Sequence, residues 1–176
     1  MKRSAAVFAT IALSTLVATA HAGVLNDTVK IDYLYPTVND VYESLGQGVV
    51  GASGFHVVFQ DYFDMTVTDN RITIDYRTRT GPYTVAPFNG FALTDLTNSL
   101  PNISINSATN LAGFGNSNLS VVDNVLMVNW QGLYYDPNTL VVLDIESNTT
   151  NVPEPVSIAL LGAGLLGFGA SRRLRK

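Results

Sequence analysis

Polar and apolar residues alternate with a period of two through Arg71-Ile72-Thr73-Ile74-Asp75-Tyr76-Arg77, which sets Ile72, Ile74 and Tyr76 on one face of a strand. The preceding run Phe63-Asp64-Met65-Thr66-Val67-Thr68 alternates too, and Asp69-Asn70 lies between them. A two-residue turn there, with Asn supplying the positive φ such turns need, pairs Val67 with Ile72, Met65 with Ile74 and Phe63 with Tyr76. All six then share a face, so turn position and pattern agree on one register. Asn118 to Val122 and Val125 to Trp130, joined by Asp123-Asn124, predict a second hairpin. Its two faces are both partly apolar, which reads as a central pair. Further strands are expected at Thr28 to Tyr35, Phe55 to Gln60, Phe91 to Asp95 and Leu140 to Ile145. Gly81-Pro82, Leu100-Pro101-Asn102 and Asp136-Pro137-Asn138 punctuate them. Many short strands with turn signals between them predict an all-β fold, a small antiparallel β-sandwich or jelly-roll-like domain.

Two apolar stretches fall outside this pattern. Lys2 and Arg3 precede Ala5 to Ala20, and Ala20-His21-Ala22 offers small residues, Ala20 and Ala22, at the two positions a signal peptidase reads. Residues 1–22 are therefore expected to be a signal-peptide helix cut before Gly23. At the other end, Val152-Pro153-Glu154-Pro155 leads into the uncharged run Val156 to Ala170, followed by Arg172, Arg173, Arg175 and Lys176. Pro153 and Pro155 resist inclusion in a helix interior, so a hydrophobic helix over 156–170 is expected to start after them. Its 15 residues reach about 22 Å, against about 30 Å of hydrocarbon. The four cations snorkel toward head groups and hold that end on the cytoplasmic side.

Between these ends, residues 23–150 form one domain's worth of chain. The chain has no cysteine, so neither a disulfide nor a thiolate metal site exists. The whole-chain net charge of −4 conceals an acidic body, because Lys30, Arg71, Arg77 and Arg79 are the only cations in 23–150 and stand against thirteen acids. A net charge of −9 there excludes nucleic acid as a partner and suits a soluble exported domain.

Candidate chemistry is sparse. Gly162 to Gly167 and Gly46 to Gly51 match the spacing of a dinucleotide-binding loop, but neither lies between a strand and a helix as that loop requires. His56, in Phe55-His56-Val57-Val58-Phe59, faces away from the apolar side, and no Gly-x-Ser-x-Gly elbow is present. The expected register sets Asp64 opposite Asp75, with Asp61 close in sequence. Three readings of this acidic spot compete: neutralisation by Arg77 or Arg79, a calcium site formed by Asp61, Asp64 and Asp75, and a glycosidase-type acid pair. No other metal or cofactor is expected. Tyr33, Tyr35, Tyr83, Phe88, Tyr134 and Tyr135 could supply a sugar-stacking platform or half-buried packing.

The carboxyl-terminal segment, with Pro153-Glu154-Pro155 as its signature, the apolar run and the basic cluster, resembles the PEP-CTERM sorting signal of bacterial exported proteins. It departs mildly from the family pattern, which often has Ser-Thr where Val156-Ser157 stands. The resemblance covers about residues 152–176. It implies that residues 151–176 are a sorting tail, recognised and removed by an exosortase, a membrane-embedded cysteine protease. It further implies a protein briefly held at the inner membrane and then delivered to the cell surface or extracellular matrix of a Gram-negative bacterium. Such proteins are associated with biofilm and exopolysaccharide. The expected function is that of a non-enzymatic surface or matrix protein. A secreted carbohydrate-binding module and a secreted hydrolase are the rival readings.

Overall fold

The structure, a computed structural model, describes residues 23–146. The strands are β1 (Thr28–Leu34), β2 (Val41–Val49), β3 (Phe55–Phe59), β4 (Phe63–Thr68), β5 (Arg71–Tyr76), β6 (Gly81–Pro82), β7 (Gly90–Asp95), β8 (Asn102–Ile105), β9 (Leu119–Val122), β10 (Val125–Asn129), β11 (Tyr134–Tyr135) and β12 (Leu140–Glu146). Two five-stranded sheets run in the orders β2-β1-β7-β10-β9 and β3-β4-β5-β12-β8, and β11 pairs with β6 as a two-stranded ribbon. Every pairing is antiparallel. Apolar side chains of both sheets meet in one core, as in a β-sandwich. The signal-peptide and hydrophobic helices expected at 1–22 and 156–170 lie outside the described residues.

The first hairpin has the register its pattern predicts: Phe63 pairs with Tyr76, Met65 with Ile74 and Val67 with Ile72. Phe63, Met65, Val67, Ile72 and Ile74 are all completely buried. The turn differs from expectation, since neither Asp69 nor Asn70 has a positive φ. It is held from outside instead. Val24 N–H donates to the Asp69 carbonyl (3.0 Å), Leu25 N–H to Asp69 Oδ1 (3.0 Å) and Ile145 N–H to the Asn70 carbonyl (2.9 Å). Both ends of the described chain therefore meet at this turn.

The second hairpin is also present, with Asp123 at a φ of 56° in its turn. It is not central: β9 is an edge strand, and Val121 and Val122 stay exposed. The apolar character of its second face has another cause. Leu34, Phe88 and Ala92, joined by Val125 and Met127, form a small cluster separate from the main core.

β2 is absent from the sequence reading, and its register explains why. Tyr33 pairs with Glu43 but Leu34 with Val41, and Ile31 pairs with Gly46 but Asp32 with Ser44. Tyr42 and Leu45 are thus the extra residues of two β-bulges, which break the period of two and bend the strand. Gly46, at a φ of 148°, accommodates the second bend. Leu45 packs on the core, and Tyr42 approaches the rings of Tyr33, Tyr35 and Phe59.

Candidate functional site

The acidic spot resolves first. Asp64 does stand opposite Asp75. Arg77 donates through Nε to Asp64 Oδ2 (2.7 Å) and through a terminal guanidinium nitrogen to Oδ1, and His56 Nε2 lies 3.6 Å from that same Oδ1. Arg79 Nε donates to Asp61 Oδ1 at 2.7 Å, and its guanidinium carbon sits 5.1 Å from the centre of the Tyr62 ring. The hydrogen bond from Arg79 holds the Asp61 carboxyl below the usual carboxylate range, and each arginine is pushed up by its carboxylate. Asp61 and Asp64 thus serve two arginines, and Asp75 is an exposed neighbour. Among the described residues, no group of three or more acidic, histidine or cysteine side chains is placed to hold a metal ion.

A different constellation forms where the two sheets meet, at the end of the sandwich opposite the Asp69–Asn70 turn. β1 ends there, β3 turns into β4, and β5 ends, so aromatic residues distant in sequence converge. Tyr33, Tyr35, Tyr42, Phe59, Gln60, Tyr62, Pro82, Tyr83, Thr84, Asn89 and Tyr135 line a half-open cavity of about 210 Å³. Tyr33 and Phe59 stack face to face with centroids 4.0 Å apart, and Tyr62 stacks on the same Phe59 at 5.2 Å. Tyr83 stacks on the buried Trp130 at 5.8 Å and tilts against Tyr135 at 4.6 Å. Tyr33, Phe59, Tyr83 and Tyr135 are buried, Tyr35 and Tyr62 half-buried, and Tyr42 is 59% exposed, so the cavity has a fixed floor and an accessible rim.

Hydrogen bonds lock that floor. Tyr33 Oη donates to Asn89 Oδ1 at 2.6 Å, while Asn89 Nδ2 donates to the Thr84 carbonyl at 2.9 Å. Asn89 N–H donates to Asn129 Oδ1 (3.0 Å), and its carbonyl accepts from Trp130 N–H (2.9 Å). All four polar groups of this buried asparagine are satisfied, as burial demands. The phenols of Tyr76 and Tyr83 share a hydrogen bond of 2.7 Å. Burial pushes the phenols of Tyr33, Tyr76 and Tyr83 well above the ordinary tyrosine range, and it raises Tyr135 too, against the pull of Arg79. They are neutral donors at any physiological pH.

Of the aromatics singled out in the sequence, Tyr33, Tyr35, Tyr83 and Tyr135 line the cavity. Phe88 belongs to the separate cluster under the outer face of the first sheet, and Tyr134 points to solvent from β11. Tyr42, Tyr62, Gln60 and Asn89 were not singled out. A signal for Tyr42 did exist: Pro36-Thr37-Val38-Asn39-Asp40 is a turn composition that folds the following residues back beside Tyr33 and Tyr35.

The other expected sites lie outside the described residues: Ala20 and Ala22, Val152 to Pro155, and Arg172, Arg173, Arg175 and Lys176. Among the described residues no helix is long and apolar enough to cross a membrane. Residues 151–173 match the family model of the PEP-CTERM protein-sorting motif. No curated protein and no solved structure matches the chain. The chain therefore carries at 151–173 a PEP-CTERM sorting motif, the signal by which an exosortase sorts an exported protein, joined to an antiparallel β-sandwich.

Proposed function

We propose that the exported domain is a non-enzymatic cell-surface or extracellular-matrix protein that contacts extracellular polysaccharide through the tyrosine-lined cavity. The cavity carries this reading. Six tyrosines and a phenylalanine supply flat apolar faces for the C–H face of a sugar ring, and phenol, amide and hydroxyl groups stand at their edges for its hydroxyls. Its volume falls below the roughly 300–1,000 Å³ of pockets that enclose a free small molecule. That size suits one residue of a longer chain gripped from one side.

Among the described residues, the one carboxylate hydrogen-bonded to a lining side chain is that of Glu43, on Gln60; it has no second acid beside it in the lining, and the enclosed phenols are held protonated, which favours binding over hydrolysis. The sorting motif supplies delivery to the outside, and the acidic body suits a molecule kept soluble there. Two measurements test the proposal on the protein in its own host. Fractionation of cells with and without the exosortase should move the protein from membrane to matrix only when the protease is present. Exported protein should be retained on matrix polysaccharide, and a Tyr42→Ala, Tyr62→Ala variant should not. Retention unchanged by that double substitution refutes the cavity as the contact.

A further inference from the structure

Resting on the glycan-contact reading, we infer that the cavity selects an uncharged, hydroxyl-rich sugar residue and rejects anionic ones such as uronates. The inference comes from the cavity's rim. Gln60 has a φ of 49°, a left-handed conformation that residues with a Cβ seldom adopt. It occupies the tight turn between β3 and β4, closed by Tyr62 N–H donating to the Phe59 carbonyl at 3.0 Å, where glycine or asparagine would be less strained. Strain of this kind persists where a particular side chain is required. The side chain it retains lines the cavity, and its Nε2 donates to Glu43 Oε2 at 2.8 Å.

That pair makes the rim rich in acceptors. Glu43 keeps one carboxylate oxygen beyond the bond to Gln60, and the amide Oε1 of Gln60 adds another, a set that receives hydroxyl protons. The guanidinium over Tyr62, that of Arg79, is already held by Asp61, so this ion pair adds no net charge. Glu43 is left as the net charge of the rim, within a body of net −9. A sugar carboxylate entering here meets repulsion and finds no free cation, whereas a neutral ring stacks on Tyr42 or Tyr62 and donates to Glu43.

The test uses the exported protein recovered from its host, run in native gels containing either a neutral polymer (a β-glucan or a galactomannan) or a polyuronate, at low ionic strength. The expected result is retardation by a neutral polymer and none by the polyuronate. Affinity should fall about tenfold in Tyr42→Ala, and Glu43→Gln should weaken neutral binding by a similar factor. Tyr42 is largely exposed, so its variant keeps the fold, which circular dichroism verifies. Stronger retardation by the polyuronate overturns the selectivity and leaves the glycan contact standing. Neutral binding undiminished in Glu43→Gln removes the carboxylate's role. Absence of retardation by every polymer, or retardation that Tyr42→Ala does not change, overturns the glycan contact itself.

Discussion

Raising the pH from about 8 to about 11 should strip about 4 kcal/mol of stability from this domain, and the enclosed phenols set the amount. Tyr33, Tyr76 and Tyr83 have folded-state pKa values displaced upward, with burial as the leading cause. Below the unfolded value of about 10 both states hold the proton, and the phenols contribute nothing that depends on pH. Above it the unfolded chain releases protons that the folded chain retains, so stability falls as pH rises toward the folded values. One pH unit past the unfolded value, each such phenol favours unfolding by about 1.4 kcal/mol, and the three together by about 4 kcal/mol. Against a total of about 5–15 kcal/mol for a domain, that is a large loss. Urea unfolding followed by tryptophan fluorescence at the two pH values measures it, and Trp130 is the chain's single tryptophan, inside the cluster. Tyr76→Phe should reduce the alkaline loss by about a third. The reasoning is refuted if stability at about pH 11 stays within about 1 kcal/mol of its value at about pH 8. It is refuted equally if phenolate absorbance shows all eight tyrosines ionising together while the domain stays folded.

Other consequences can be checked on the same preparation. Gly90→Ala should cost about 3 kcal/mol or more, because a methyl at β7 would overlap the Val128 carbonyl oxygen and lie 2.9 Å from its carbon. At about 4 °C per kcal/mol the midpoint should drop by about 12 °C or more, and a drop under about 2 °C would contradict the close approach of β7 and β10. Tyr33→Phe leaves Asn89 Oδ1 buried without its donor and should cost about 1–3 kcal/mol by thermal unfolding. Arg77→Met should leave the thermal midpoint nearly unchanged, since its pair with Asp64 is partly exposed. Millimolar calcium should leave the melting temperature unchanged, because Asp61 and Asp64 are held by arginines; a rise would restore the calcium reading.

What was legible in the chain follows from locality. The β4–β5 hairpin could be read to the residue, because a turn and two alternating runs sit within a few positions of one another and admit one register. The facing of Asp64 and Asp75 follows from that register, whereas its relief by Arg77 is one of three readings the sequence leaves open and only the side-chain geometry selects. β2 was not legible: two bulges and three glycines within Gly46 to Gly51 erase the period of two, and its pairing with β1 shows only in three dimensions. β9 looked central because Val122, Val125 and Met127 are apolar, a pattern that an outer-face cluster produces as readily as burial between strands. The cavity was half legible. Its tyrosines could be suspected one by one, but their meeting depends on how the sheets stack, which no short window of sequence contains. Tyr42 is a case in point, since a bulge brings it to Tyr33, Tyr35 and Phe59.

The anchoring of the Asp69–Asn70 turn gives the molecule a front and a back. Its exit point, after Glu146, shares a pole with its entry at Gly23, while the tyrosine mouth occupies the other pole, the length of β4 or about 20 Å away. A tether continuing from Glu146 therefore leaves the domain at the pole opposite the mouth. Under the proposed function, capture of polymer need not wait for proteolytic release, and the order of the two events would decide whether the product leaves the cell bare or already loaded.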